Sequence, residues 1–292
     1  MPDVARLLAD LGTASLDDLR AGLELMAHQN SRPRPVPFVT DRYLDLPGRS
    51  LPMRHYRPGP ERRAVLMWFH GGGYISGSLD AIDSTCRELC LRAGIEVVSL
   101  GYRLAPEHRF PAALDDCLAA VQQLHPDAVG GDSAGGGLAA AVAQRTPGLR
   151  ALLLLCPWLD GTLGLPSVRA NSDPASLSET SLQAFMGLYA DDPSDPGVSP
   201  LHAHDLSASP PTIVVTAGLD PLRDDGERYA DRLRAAGVPT ALRRWEDQVH
   251  GFPGMTALSP IAAESVQWAA EQLRDLLVPS ASLSWAETPP AR

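Results

Sequence analysis

The sequence predicts an α/β fold, a mostly parallel central sheet with helices on both faces. The main observation is alternation. From residue 64 onward, short apolar runs alternate with longer amphipathic stretches, the pattern of repeated β-α units. The runs 64–69, 95–100, 127–131, 149–155, 212–217 and 239–245 read as strands. Between most of them, 80–93, 111–124, 134–145 and 221–236 read as helices, and a last helix covers 258–278. Size is the second observation. A chain of 292 residues, 44% hydrophobic and 21% charged, can bury the core that one such domain needs. No repeat of fixed period interrupts it.

The segments outside the alternation follow in order. Residues 1–30 read as helix in two pieces, Val4, Leu7, Leu8 and Leu11, then Leu16, Leu19, Leu23 and Met26. Ser15 is placed to cap the second piece, with Asp17 and Asp18 in its first turn. The run Arg32 to Pro37, with a proline at every second position, is a stiff linker. Two short strands around Pro47-Gly48 read as a hairpin. Residues 160–210, rich in Pro, Ser, Asp and Gly, break the alternation and carry one helical piece near 178–190. They sit where an excursion from the sheet could fold over a site. The tail 279–292 is polar and reads as poorly ordered.

Composition narrows the function. The net charge is −10 and all 25 basic residues are Arg, so no basic face for nucleic acid is expected. Cys86, Cys90, Cys117 and Cys156 form no CxxC pair and no Cys/His cluster with metal-ligand spacing; buried free thiols are expected. With no signal-peptide pattern and no apolar run of about 18 residues, the sequence points to a cytoplasmic, reducing setting and to no membrane span. A homodimer stays open.

In an open parallel sheet, ligands bind outside the carboxyl ends of the strands, so the residues just after each strand matter most. Gly131-Asp132-Ser133-Ala134-Gly135 matches G-x-S-x-G between a strand and an Ala-rich helix. A sharp turn there lifts the Ser133 hydroxyl and aims the Ala134 N–H at the same spot. The plainer alternative is a helix entry capped by Ser133. His70-Gly71-Gly72-Gly73 follows the strand 64–69, and its backbone N–H groups could face a developing oxyanion. Gly72 is the first choice of donor, joined by Gly71 or Gly73. A nucleotide loop is disfavoured because no GK[ST] follows. Asp220 ends the strand 212–217 region, where it could orient an imidazole or simply cap a helix before Pro221. His250 lies in the loop after 239–245. A lone histidine is more often structural, but serine, acid, histidine is the chain order of a known triad. Together they predict Ser133 as nucleophile, His250 as proton carrier and Asp220 as its orienting acid, with no cofactor and no metal.

At this point the chain resembles the bacterial hormone-sensitive-lipase-like esterases. The resemblance rests on His70-Gly71-Gly72-Gly73, the run from Gly131 to Gly136, Tyr102 to His108, Asp220 to Asp224, and His250-Gly251-Phe252. It covers about residues 40–275 and implies an α/β-hydrolase fold with a helical cap, here residues 1–40 and about 160–205. It also implies hydrolysis of small, short-acyl esters and a supporting role for the Glu107 segment beneath the oxyanion loop. Gly137 stands where Asn is usual and Asp225 where Glu is usual, and the stretch 121–131 is short. The same machinery cleaves amides and N-acyl groups, so an amidase or deacetylase is the second reading. A non-catalytic receptor would be expected to lack the base or the nucleophile. With 5% aromatic residues, nothing points to a lipid interface.

Overall fold

The computed structural model describes residue 12 and residues 15–278. Its eight strands are β1 (Phe38–Leu46), β2 (Arg49–Arg57), β3 (Val65–Phe69), β4 (Glu96–Leu100), β5 (Ala128–Asp132), β6 (Ala151–Leu155), β7 (Thr212–Ala217) and β8 (Thr240–Trp245). They form one sheet in the order β1-β2-β4-β3-β5-β6-β7-β8. The β1–β2 and β2–β4 pairs are antiparallel and all the rest are parallel. The six strands expected from 64 onward are all present, each within about two residues of its expected ends. The hairpin strands are longer than expected, nine residues each. Their charged residues pair across the hairpin, as Arg54 does with Asp41 at 2.6 Å, so polar side chains extend the strands.

The inner strands β3 to β7 are largely apolar because both of their faces are covered. Along β3, Leu66 and Trp68 enter one core layer while Met67 and Phe69 enter the other. Along β6, Leu152 and Leu154 part from Leu153 and Leu155 in the same way. The helices are α1 (Leu16–Asn30), α2 (Asp83–Ala93), α3 (Ala112–Leu124), α4 (Ala134–Ala143), α5 (Pro166–Ala170), α6 (Glu179–Tyr189), α7 (Arg223–Ala235) and α8 (Pro260–Leu277). α2 and α8 feed the layer of Leu66 and Trp68; α3, α4 and α7 feed the opposite one. Helix α2 starts at 83 rather than 80, because residues 79–82 form a turn. The five-residue α5 was not expected. All four cysteines are buried and free.

Ser15 caps α1 as expected, accepting from the Asp18 N–H at 3.1 Å. The piece with Val4, Leu7, Leu8 and Leu11 and the tail 279–292 lie outside the described residues. Among the described residues no helix is long and apolar enough to cross a membrane.

Candidate active site

Ser133 sits between β5 and α4 with φ 52° and ψ −121°. Serine rarely adopts such a backbone, and the surroundings fix it. The Ser133 N–H donates to Leu155 O at 3.0 Å, and Ser133 O accepts from Trp158 N at 2.9 Å. The turn is tight because Gly135 lies against the Phe69 and His70 carbonyls, leaving no room for a Cβ. The plain N-cap reading fails: the Ser133 side chain makes no cap hydrogen bond.

The hydroxyl faces histidine instead. Ser133 Oγ lies 2.9 Å from His250 Nε2, and His250 Nδ1 lies 2.9 Å from Asp220 Oδ2. Asp220 is fully buried. Both readings of this acid hold at once, one per oxygen: Oδ1 accepts the Leu222 N–H at 2.8 Å and Oδ2 takes the imidazole. Asn171 fastens the acid's loop, its amide donating to Gly218 O and Asp220 O at 3.0 Å each. Burial disfavours a charged imidazole at His250. The charge and hydrogen bond of Asp220, with Asp132 behind, outweigh it and raise its pKa above the ordinary value.

The glycine loop stands beside Ser133. Gly72 and Gly73 have φ of 118° and 63°, where glycine is favoured. Gly72 O accepts from Ser76 N at 3.0 Å, which folds the loop back. The Asp132 carboxylate lies against Gly71, where an added Cβ would meet its Oδ2. His70 is buried, which pushes its pKa down to about 4 and keeps it neutral; its Nδ1 donates to Gly71 O at 2.8 Å. Tyr102 stacks on that ring at 4.3 Å and donates its hydroxyl to His70 O at 2.7 Å. The Ala105 N–H holds Tyr74 O at 3.0 Å, so the 102–107 segment does buttress the loop.

A cavity of about 560 Å³ opens over Ser133 and His250. α1 borders it through Leu19, Leu23 and Glu24, and α6 through Leu182 and Phe185. Phe185 packs so closely on Gly73 that an added Cβ there would meet its ring at 2.7 Å. Sequence reasoning missed Asp132, whose Oδ1 accepts from Trp68 Nε1 at 3.1 Å and whose carboxyl pKa burial raises to about 6. Its place inside G-x-S-x-G was the available signal. It also missed Asn171 and Arg20, which no local motif marks. The two departures, Gly137 and Asp225, both border Trp158. A Cβ at Gly137 would crowd Trp158 O and Tyr74 Oη, and Asp225 Oδ2 accepts the Leu159 and Asp160 N–H groups at 2.8 Å each.

A parallel sheet that gathers serine, histidine and aspartate at its carboxyl edge, beside a glycine loop, is the arrangement of a serine hydrolase. Residues 66–254 match the alpha/beta hydrolase fold family, and the chain belongs to that family, in its hormone-sensitive-lipase-like branch. It is 38% identical over 264 residues to the esterase LipI of Mycobacterium tuberculosis, covering 82% of each chain. It is 36% identical over 254 residues to an ethyl acetate hydrolase of Pseudomonas putida, covering 79% of this chain and 80% of that one. Among solved structures, a thermostable carboxylesterase from a metagenomic library superposes with a TM-score of 0.85 at 32% identity. The match covers 91% of this chain and 99% of that one. The protein is an enzyme, a hydrolase of carboxylic esters.

Proposed function

We propose that Ser133, His250 and Asp220 are the catalytic triad of a carboxylesterase acting on small esters with short acyl chains. The observation that carries this reading is the unbroken hydrogen-bond chain Ser133–His250–Asp220, 2.9 Å at each link, at the floor of the cavity. As Ser133 Oγ attacks the carbonyl carbon, its proton passes to His250 Nε2, and the carbonyl π electrons move to oxygen. Asp220 holds the imidazole by Nδ1–H and stabilises the imidazolium. The N–H groups of Gly72, Ala134 and a neighbouring glycine, Gly71 or Gly73, receive the oxyanion. Collapse breaks the bond to the alcohol, which leaves with the proton from Nε2. Water, deprotonated by the same nitrogen, then attacks the acyl-serine, and the acid departs as Ser133 regains its proton.

Short acyl chains are supported by the ethyl acetate hydrolase among the relatives and by the aromatic and aliphatic walls that α6 sets close to Gly73. On this reading α1 and the segment 160–205 act as the cap. The four unpaired thiols suit a reducing, cytoplasmic setting.

Hydrolysis of p-nitrophenyl acyl esters from acetate to palmitate, by wild type and Ser133→Ala, tests the proposal. Turnover confined to the short chains and lost by several orders of magnitude in the variant is expected. Binding without turnover in wild type would overturn it, and a peak at palmitate would overturn the chain-length part.

A further inference from the structure

The cavity is largely apolar, and its charged side chains outside the triad are both acids, Glu24 and Asp132. Among the described residues no arginine lines it. Asp132 is already engaged, by Trp68 Nε1. Glu24 is different. Its Oε1 accepts the Ser78 hydroxyl at 2.5 Å. Ser78 Oγ in turn accepts the N–H groups of Asp80 and Ala81 at 3.1 Å each, so its single hydrogen is left for Glu24. The carboxylate is thereby oriented, while no donor among the described residues reaches Oε2. The nearest cation on the same helix, Arg20, is spent elsewhere: it grips Glu107 at 2.7 Å and donates to Ile75 O and Ala105 O. An oriented, uncompensated carboxylate therefore stands in an apolar wall of the substrate cavity.

We propose that Glu24 is a specificity-determining residue, selecting esters that carry a cationic group away from the scissile bond and rejecting those that carry a carboxylate. The proposal rests on the ester-hydrolase reading of the same cavity. A cation against this wall meets an oriented opposite charge, and an anion meets repulsion with no arginine among the described lining residues to relieve it. Ser78 makes the selection directional, because it holds one oxygen back and presents the other.

The test compares isosteres that differ only in charge. On the alcohol side the pair is acetylcholine and 3,3-dimethylbutyl acetate. On the acyl side it is the p-nitrophenyl esters of 4-trimethylammoniobutyrate and 5,5-dimethylhexanoate, with mono-p-nitrophenyl glutarate as the anion. In at least one series, kcat/KM for the cation should exceed its neutral isostere by about tenfold, with the anion slowest. Glu24→Gln should bring the cation-to-neutral ratio close to one. Glu61→Gln, a surface acid far from the cavity, should leave that ratio as in wild type, separating a local charge from the general −10 field. A wild type indifferent to charge, or a ratio that survives Glu24→Gln, overturns the proposal. If no neutral ester is hydrolysed, the esterase reading fails by itself. Calorimetric titration with choline against 3,3-dimethylbutanol then still decides: choline binding weakened by Glu24→Gln supports the site, and equal binding sinks it.

Discussion

The carboxyl edge of the sheet and helix α1 border one cavity but are held in place by opposite means. At the edge, Asp220 is fully buried and the serine turn is wedged between carbonyls of β3 and β6. In α1 no residue is buried. Beyond the half-buried Leu16 and Leu19, which pack against the core, the helix is held by polar ties: Arg20 to Glu107, Ile75 O and Ala105 O, Glu24 to Ser78, and Asn30 O to the Ala257 N–H. Burial fixes the reacting atoms, whereas replaceable hydrogen bonds fix the wall that meets the substrate. On the proposed reading, chemistry and selectivity therefore sit on parts of the molecule with different tolerance for change.

A matched pair of glycines breaks or sharpens that contrast most strongly. At Gly135, alanine would push its Cβ into the Phe69 and His70 carbonyls, which belong to the backbone and cannot swing aside. Overpacking of this kind should cost about 3 kcal/mol or more, read as a lower urea midpoint with activity lost. At Gly22, on α1, an added Cβ meets nothing within 4 Å. Gly22→Ala should gain about 0.5–1 kcal/mol in helix propensity, without loss of activity. Equal midpoints for the two variants would mean the edge is no more rigid than the helix.

The next effect is smaller and kinetic. Arg20→Ala removes three ties of α1 at once, yet Glu107 is half exposed, so the pair contributes only about 1 kcal/mol. The expected signature is a KM raised about threefold to tenfold with kcat changed less, because the reacting atoms stay put while the wall loosens. A fall in kcat at constant KM would instead place Arg20 in the support of the oxyanion loop.

The same contrast explains what could be read from the sequence. The edge was legible, because a parallel strand buried on both faces is a run of apolar residues and its functional residue comes immediately after it. The sequence singled out Ser133 and His250 in this way, and for Asp220 it left two roles open; the structure places both the Leu222 N–H and the imidazole on its carboxylate. The hairpin was underestimated because its strands carry charges on exposed positions, so alternation is obscured. The ties of α1 were not legible at all. Arg20 and Glu107 are 87 residues apart, and Glu24 and Ser78 are 54 apart. No periodicity links such partners.

The smallest expected effect concerns pH, and it returns to the edge. Folding raises the His250 pKa above 6.5, because Asp220, aided by Asp132, outweighs the burial that opposes the charge. The imidazole must be neutral to accept the Ser133 proton, so the acid limb of kcat/KM should have its midpoint above 6.5, with the rate rising from pH 6 to pH 8. The stability linkage has the opposite sense. A raised pKa means the folded state binds this proton more tightly than the unfolded chain. The stabilisation is fully present below 6.5 and is lost as pH rises through the folded pKa. The enzyme thus gains activity over the window in which this one contribution to stability fades. Asp132, with its pKa near 6, supplies part of the negative charge that holds the proton on His250. Asp132→Asn should therefore move the acid limb to lower pH by less than one unit, measured on a substrate stable across the range. A midpoint that stays in place in a folded variant would leave Asp220 as the sole electrostatic partner of His250 and confine Asp132 to holding the Trp68 indole.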